Sequence, residues 1–228
     1  MYSLTGDWSN TSNPHGCWSY NYNSSPISIF QTFFWGQAGW CDNASDWGRW
    51  LGDGAIFQGP SPAGMTYPWG DVIPPAHDWQ PGDVVLHALS IAYGGDTTFL
   101  NVTWTSPAEG TIDITGQAWD AQINPDRDLR WILTVGGETF AERSTVRGLY
   151  RTDSGAQFAS NLLGAHTLTG IPVAQGEVVE FRLATQTYYG HFLGLEETIA
   201  FTLVPEPGSG VLLAMGLLAY GWLRSRRT

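Results

Sequence analysis

The sequence predicts an all-β protein: an antiparallel β-sandwich over residues 1–204, followed by a single short transmembrane helix in residues 205–228. Three observations carry this expectation. From about residue 82 onward, apolar and β-branched residues alternate with polar ones in runs of strand length. Glycine (28 residues) and proline (13) interrupt the chain too often for long helices in the body. Twelve tryptophans, ten phenylalanines and nine tyrosines supply the large side chains that suit a turn-rich β core. About 200 residues outside the tail are enough to bury a sizeable core, and one domain is the expectation.

Residues 1–80 form an aromatic, loop-rich part, with tryptophans at 8, 18, 35, 40, 47, 50, 69 and 79 among Gly, Asn, Ser, Asp and Pro. Its best strand is Pro26–Phe34, and Asn13-Pro14, Gly59-Pro60-Ser61-Pro62, Pro68 and Pro74-Pro75 argue against helix. Residues 81–204 read as regular strands. Val84–Ile91 is apolar enough for a buried strand, Thr97–Thr105 places Leu100, Val102 and Trp104 at alternate positions, and Ile112 and Ile114 share a face of Thr111–Thr115. Leu129, Trp131, Leu133 and Val135 alternate up to a Gly136-Gly137 hairpin signal. Ile171–Leu183 sets Val179, Phe181 and Leu183 on one face, and Ile199, Phe201 and Leu203 close the domain. Short alternating strands in such succession suggest two packed sheets.

Charge narrows the partners. The chain has no lysine, and in residues 1–204 seven arginines face twenty acids, a net of −13. A nucleic-acid partner is excluded by the lack of a basic stripe. The five histidines, at 15, 77, 87, 166 and 191, form no metal-ligand spacing, and no Gly-x-Ser-x-Gly elbow, Walker loop or dinucleotide fingerprint occurs. The chain is therefore not expected to be an enzyme. A glycosidase remains the weakest alternative, because its carboxylate pair is recognised only in three dimensions.

Three clusters are candidate sites. Trp35, Trp40, Trp47 and Trp50, beside Asp42, Asn43, Asp46 and Asp53, offer flat apolar faces and directional polar groups of the kind a sugar ring needs; the alternative is core packing under long loops. Asp120, Asp126 and Asp128 supply oxygens for a calcium ion, against the alternative of a solvated loop whose acids are offset by Arg127 and Arg130. No other cofactor is expected. Cys17 and Cys41 match neither a zinc nor a redox motif; outside the cytoplasm they read as a disulfide worth about 3 kcal/mol, the alternative being two buried thiols. The Asn-x-Ser/Thr sequons at Asn10, Asn23, Asn43 and Asn101 read as incidental.

The last residues carry the most specific signal. Pro205, Glu206 and Pro207 make a rigid hinge, sixteen uncharged residues run from Gly208 to Leu223, and Arg224, Arg226 and Arg227 nearly end the chain. As a helix the apolar run would reach about 24 Å at about 1.5 Å per residue, short of a hydrocarbon core of about 30 Å. The arginines would stay cytoplasmic, leaving the body on the far side of the membrane. In order and position these three parts resemble the PEP-CTERM sorting signal of bacterial envelope proteins. The resemblance implies recognition by an exosortase, an intramembrane transpeptidase-like enzyme, and release or transfer of the body to the cell surface or the exopolysaccharide matrix.

A second resemblance covers residues 97–203. Val102-Thr-Trp-Thr-Ser-Pro-Ala-Glu-Gly-Thr-Ile-Asp-Ile114, the Val135-Gly-Gly-Glu138 turn and Val173-Ala-Gln-Gly-Glu-Val-Val-Glu-Phe181 are similar to the jelly-roll pattern of carbohydrate-binding-module-like domains. It implies a jelly-roll-like sandwich and, as an alternative function, a lectin-like surface module. An exported chain is also expected to start with a basic and apolar leader, which Met1–Trp8 does not supply, so the expectation is an apolar segment encoded upstream of Met1.

Overall fold

A computed structural model of the protein describes residues 1–32, 38–41, 54–59, 78–87, 99–121, 128–185 and 191–204. Among these the chain is all-β, and every strand pairing is antiparallel. In chain order the strands are β1 (Tyr2–Ser3), β2 (Trp18–Tyr22), β3 (Ser25–Pro26), β4 (Ile29–Thr32), β5 (Ala38–Cys41), β6 (Ala55–Gln58) and β7 (Val84–His87). There follow β8 (Leu100–Thr105), β9 (Gly110–Asp120), β10 (Leu129–Val135), β11 (Glu138–Arg143), β12 (Ile171–Val173), β13 (Val178–Thr185) and β14 (Phe192–Leu203).

Two sheets result. The first has the order β12-β9-β14-β7-β6-β5-β4, with β1 pairing β14 beyond the reach of β7; the second has the order β11-β10-β13-β8-β2-β3. The aromatic N-terminal part thus contributes strands to both sheets. The core lies between them and is built by alternation: Leu100, Val102 and Trp104, then Leu129, Trp131, Leu133 and Val135, then Val179, Phe181 and Leu183 all point inward and are buried. From the first sheet they meet Ile56, Val84, Leu86, Ile112, Ile114, Ala118, Leu193, Leu195 and Ile199. Truncating a buried tryptophan such as Trp104 or Trp131 in such a core costs about 3–5 kcal/mol.

Gly136 and Gly137 both sit at positive φ (58° and 85°), where glycine costs least, and join β10 to β11 in the predicted hairpin. The Pro26–Phe34 strand is corrected. The chain leaves the second sheet at Pro26 and enters the first at Ile29, and residues 33–37 lie outside the described ones. Asn13 stitches this crossing, donating through Nδ2 to the carbonyls of Tyr20 (2.6 Å) and Ile27 (2.8 Å). Thr111–Thr115 and Ile199–Leu203 are parts of longer strands, of 11 and 12 residues, that pair with each other from Gly110–Leu203 to Asp120–Leu193.

The first sheet buries part of its outer face as well. Cys41, Ala55, Phe57, Val85, Trp119 and Phe192 project away from the main core and form a second cluster with Trp79, Ala121 and Ala156. The segment from Thr145 to Gly170 closes the flank between β9 and β11, through bridges Gln117–Gln157 and Ala141–Leu162 and two 3-10 turns at Ser154–Ala156 and Phe158–Asn161. Phe158 plugs this side, its ring 5.4 Å from Trp131 and 5.7 Å from Phe181. Among the described residues no helix is long and apolar enough to cross a membrane; residues 205–228, where the terminal helix is expected, lie outside them.

Candidate functional site

The terminal signal begins where the fold ends. β14 is the longest described strand and sits inside its sheet, held by β9 on one side and by β7 and β1 on the other. Its last residues leave the core: Ile199 is buried, Phe201 is half-buried, and Leu203 and Val204 are 59% and 45% exposed. A final backbone bond from Val204 N to Glu109 O (3.4 Å) closes the body. Pro205 follows, and a proline can neither extend the ladder nor leave its predecessor helical. Pro205, Glu206, Pro207, Arg224, Arg226 and Arg227 themselves lie outside the described residues.

Of the four tryptophans of the candidate glycan site, the structure describes Trp40 alone. Trp40 is buried (4% exposed), donates its Nε1–H to Ser9 O (2.9 Å), and packs against Tyr20 and Phe30 at 6.4 and 5.1 Å. It is a core residue; Trp35, Trp47 and Trp50 lie outside the described residues. All seven described tryptophans, at 8, 18, 40, 79, 104, 119 and 131, are at least partly buried.

The disulfide is likewise corrected: Cys17 and Cys41 are not bonded to each other. Cys17 precedes β2 of the second sheet and packs against the main core, whereas Cys41 points to the outer face of the first sheet and belongs to the second cluster. Side chains on opposite faces of a sheet cannot be joined without moving the backbone.

Two of the three calcium candidates, Asp120 and Asp128, are described, and both are engaged in hydrogen bonds. Asp120 is 2% exposed, with Oδ1 on His191 Nε2 (2.8 Å) and Oδ2 accepting from Gly148 N (2.8 Å). Asp128 Oδ1 accepts from the backbone N–H groups of Leu129, Val146 and Arg147 at 2.8, 3.0 and 3.3 Å. Asp120 Oδ2 and Asp128 Oδ1 thus face N–H groups of the 146–148 turn, the opposite of what a cation requires. Asp126 lies outside the described residues, and among the described ones no group of three metal-ligating side chains forms. His191 and Asp120 instead pin the start of β14 to the end of β9.

Nearby, Arg151 lies over the Trp119 ring (4.1 Å) and pairs with Asp83, whose carboxyl burial pushes up while the Gln80 N–H and Arg151 pull it back. Glu197 is more unusual. It stands on the inward face of β14 opposite Gly116, is 2% exposed, and neither carboxyl oxygen has a hydrogen-bond partner among the described residues. Burial pushes its pKa from 4.5 up to about 8, so it is held neutral in the folded protein.

One surface feature was not expected from the sequence. On the outer face of the second sheet, β2, β8 and β13 present a groove of about 350 Å³ lined by Ser19, Asn21, Asn101, Thr103 and Glu180, with Pro26 at its edge. The register aligns two rungs across three strands, Ser19–Thr103–Glu180 and Asn21–Asn101–Arg182. Polar residues at alternate positions of otherwise apolar strands were the available signal, but only the pairing of strands eighty residues apart in sequence brings them together.

The comparisons bear on the tail alone. Residues 203–227 match the model of the PEP-CTERM protein-sorting motif, starting at the residue where β14 ends. No curated protein and no solved structure matches the chain, so the likeness of the body to carbohydrate-binding modules has no relative behind it. A chain with this signal is an exported protein that an exosortase-type enzyme processes at the cell envelope.

Proposed function

We propose that the protein is a non-catalytic component of the bacterial cell surface or extracellular matrix. It is held in the membrane by residues 205–228 and then freed or transferred by an exosortase-type enzyme into an exopolysaccharide-rich matrix. The observation that carries this reading is the coincidence of two boundaries: the sorting motif starts at residue 203, and the last strand runs out of the core at Leu203. The inward-facing run of β14 is buried up to Ile199, before the motif begins. The body then serves as a structural or adhesive unit.

Fractionation tests this directly. Expressed in an exosortase-bearing bacterium behind the same leader, the full chain is expected in the membrane fraction before processing, and a chain ending at Val204 in the soluble extracytoplasmic fraction. Equal membrane retention of both forms would remove the anchor from the account.

A further inference from the structure

The groove on the second sheet is built for a ligand, and we infer that it binds a neutral, polyhydroxylated one, a pyranose unit of a polysaccharide. The inference rests on the body alone and holds whether or not the tail is cleaved. Its centre is Asn101, which is 3% exposed although it faces outward on β8. The Nδ2 group donates to Glu180 Oε1, and a carboxylate can only accept, so the amide is turned with its Oδ1 away from Glu180. That oxygen has no hydrogen-bond partner among the described residues. Leaving a buried amide acceptor unsatisfied is costly, and a donor from a bound molecule would relieve that cost.

The surroundings hold this acceptor rigid. Glu180 is fixed by Arg182, whose Nη2 donates to Oε2 at 2.8 Å, and the guanidinium rests on the Phe99 ring at 4.1 Å. One rung along β8, Thr103 Oγ1 accepts from Asn21 Nδ2 (3.0 Å), which leaves the threonine O–H free to donate into the groove. Asn21 is itself oriented by Ser19 Oγ, which donates to its Oδ1 at 2.6 Å. Asn101 and Thr103, alternate residues of one strand on its outward face, stand about 7 Å apart along it, the span of a pyranose ring and its hydroxyls. Pro26 and Val178 give an apolar edge for ring carbons.

Charge selects against other ligands. Among the described residues Glu180 is the one carboxylate lining the groove, and Arg182 is already paired to it, so no uncommitted cation among them invites an anion. The body's excess of acids disfavours anionic polymers further. A lone carboxylate also lacks the second acid that glycoside hydrolysis requires, so the groove binds and does not cleave. Asn101, although in a sequon, has its amide nitrogen committed to Glu180 and is a reader of glycans, not an attachment point.

Affinity electrophoresis of the full chain, in a detergent without sugar headgroups, decides the matter. Gels contain hydroxyethylcellulose, galactomannan, xylan or dextran as neutral probes and alginate as the anionic one. The wild type is expected to be retarded by at least one neutral polymer and not by alginate. Thr103→Val should weaken that retardation at least tenfold, with Thr103→Ser restoring it. Ser24→Leu, at an exposed position on the rim, should block the groove to a similar extent without touching its hydrogen bonds, and keeps the test valid should Thr103→Val fold poorly. Failure of every neutral polymer to retard the wild type would overturn the inference. So would retardation by alginate alone, or equal retardation of wild type and Ser24→Leu.

Discussion

Replacing Glu197 by glutamine leaves the unfolding free energy near its wild-type value at pH 5 and raises it by roughly 4 kcal/mol at pH 9. The sign follows from the carboxyl's position. Its pKa is pushed from 4.5 up to about 8 in the folded chain, with burial as the cause. Between those values the folded state keeps a proton that the unfolded state has released, so stability falls as pH rises through the window. Below 4.5 both states hold the proton and the effect vanishes. Above 8 folding must bury the bare carboxylate among aliphatic and aromatic side chains, with no donor from the described residues to meet it. Glutamine cannot ionise and carries a similar pair of unsatisfied polar atoms, so the difference between the two proteins isolates this one titration from the twenty other acids. Urea unfolding of both at several pH values reads it. Parallel stability curves would mean that Glu197 finds a partner in solution.

Gly194→Ala is expected to cost about 3 kcal/mol or more, at the upper end of overpacking effects. Gly194 lies in β14 between Val85 of β7 and Trp119 of β9, and a Cβ added there would overlap the Trp119 indole. The ring has nowhere to go. It is fully buried, its Nε1 donates to the carbonyl of Asp78, and Arg151 covers its outer face. The strain should show as a lower denaturation midpoint together with an altered near-ultraviolet tryptophan signal, and Trp119→Leu should recover part of the loss in the double variant. A loss below about 1 kcal/mol would show that the indole moves aside freely.

Where alternation is clean, the fold was legible. β8, β10 and β13 each bury one face in the core, and the alternation in Leu100–Thr105, Leu129–Val135 and Val179–Leu183 announces it. The N-terminal strands hide for a physical reason. Ala38-Gly-Trp-Cys41 and Ala55-Ile-Phe-Gln58 bury both faces, one in the main core and one in the second cluster, so no period of two remains to be read. β14 was underestimated because Gly194 and the inward Glu197 break its apolar pattern. Trp40 was open to two readings because an indole suits a core and a sugar platform equally, and burial, which the residues alone do not disclose, puts it in the core. The tail needs no folding to be recognised, which is why it was the part of the function read most directly from the residues.

The central claim is that residues 205–228 direct the chain and are then removed from the body. Intact mass measurement of the protein recovered from the surface or medium of its native host tests this most directly. The account predicts a polypeptide that has lost the apolar segment and Arg224–Thr228 while keeping β14 through Leu203. A surface form that still carries Thr228 would contradict it.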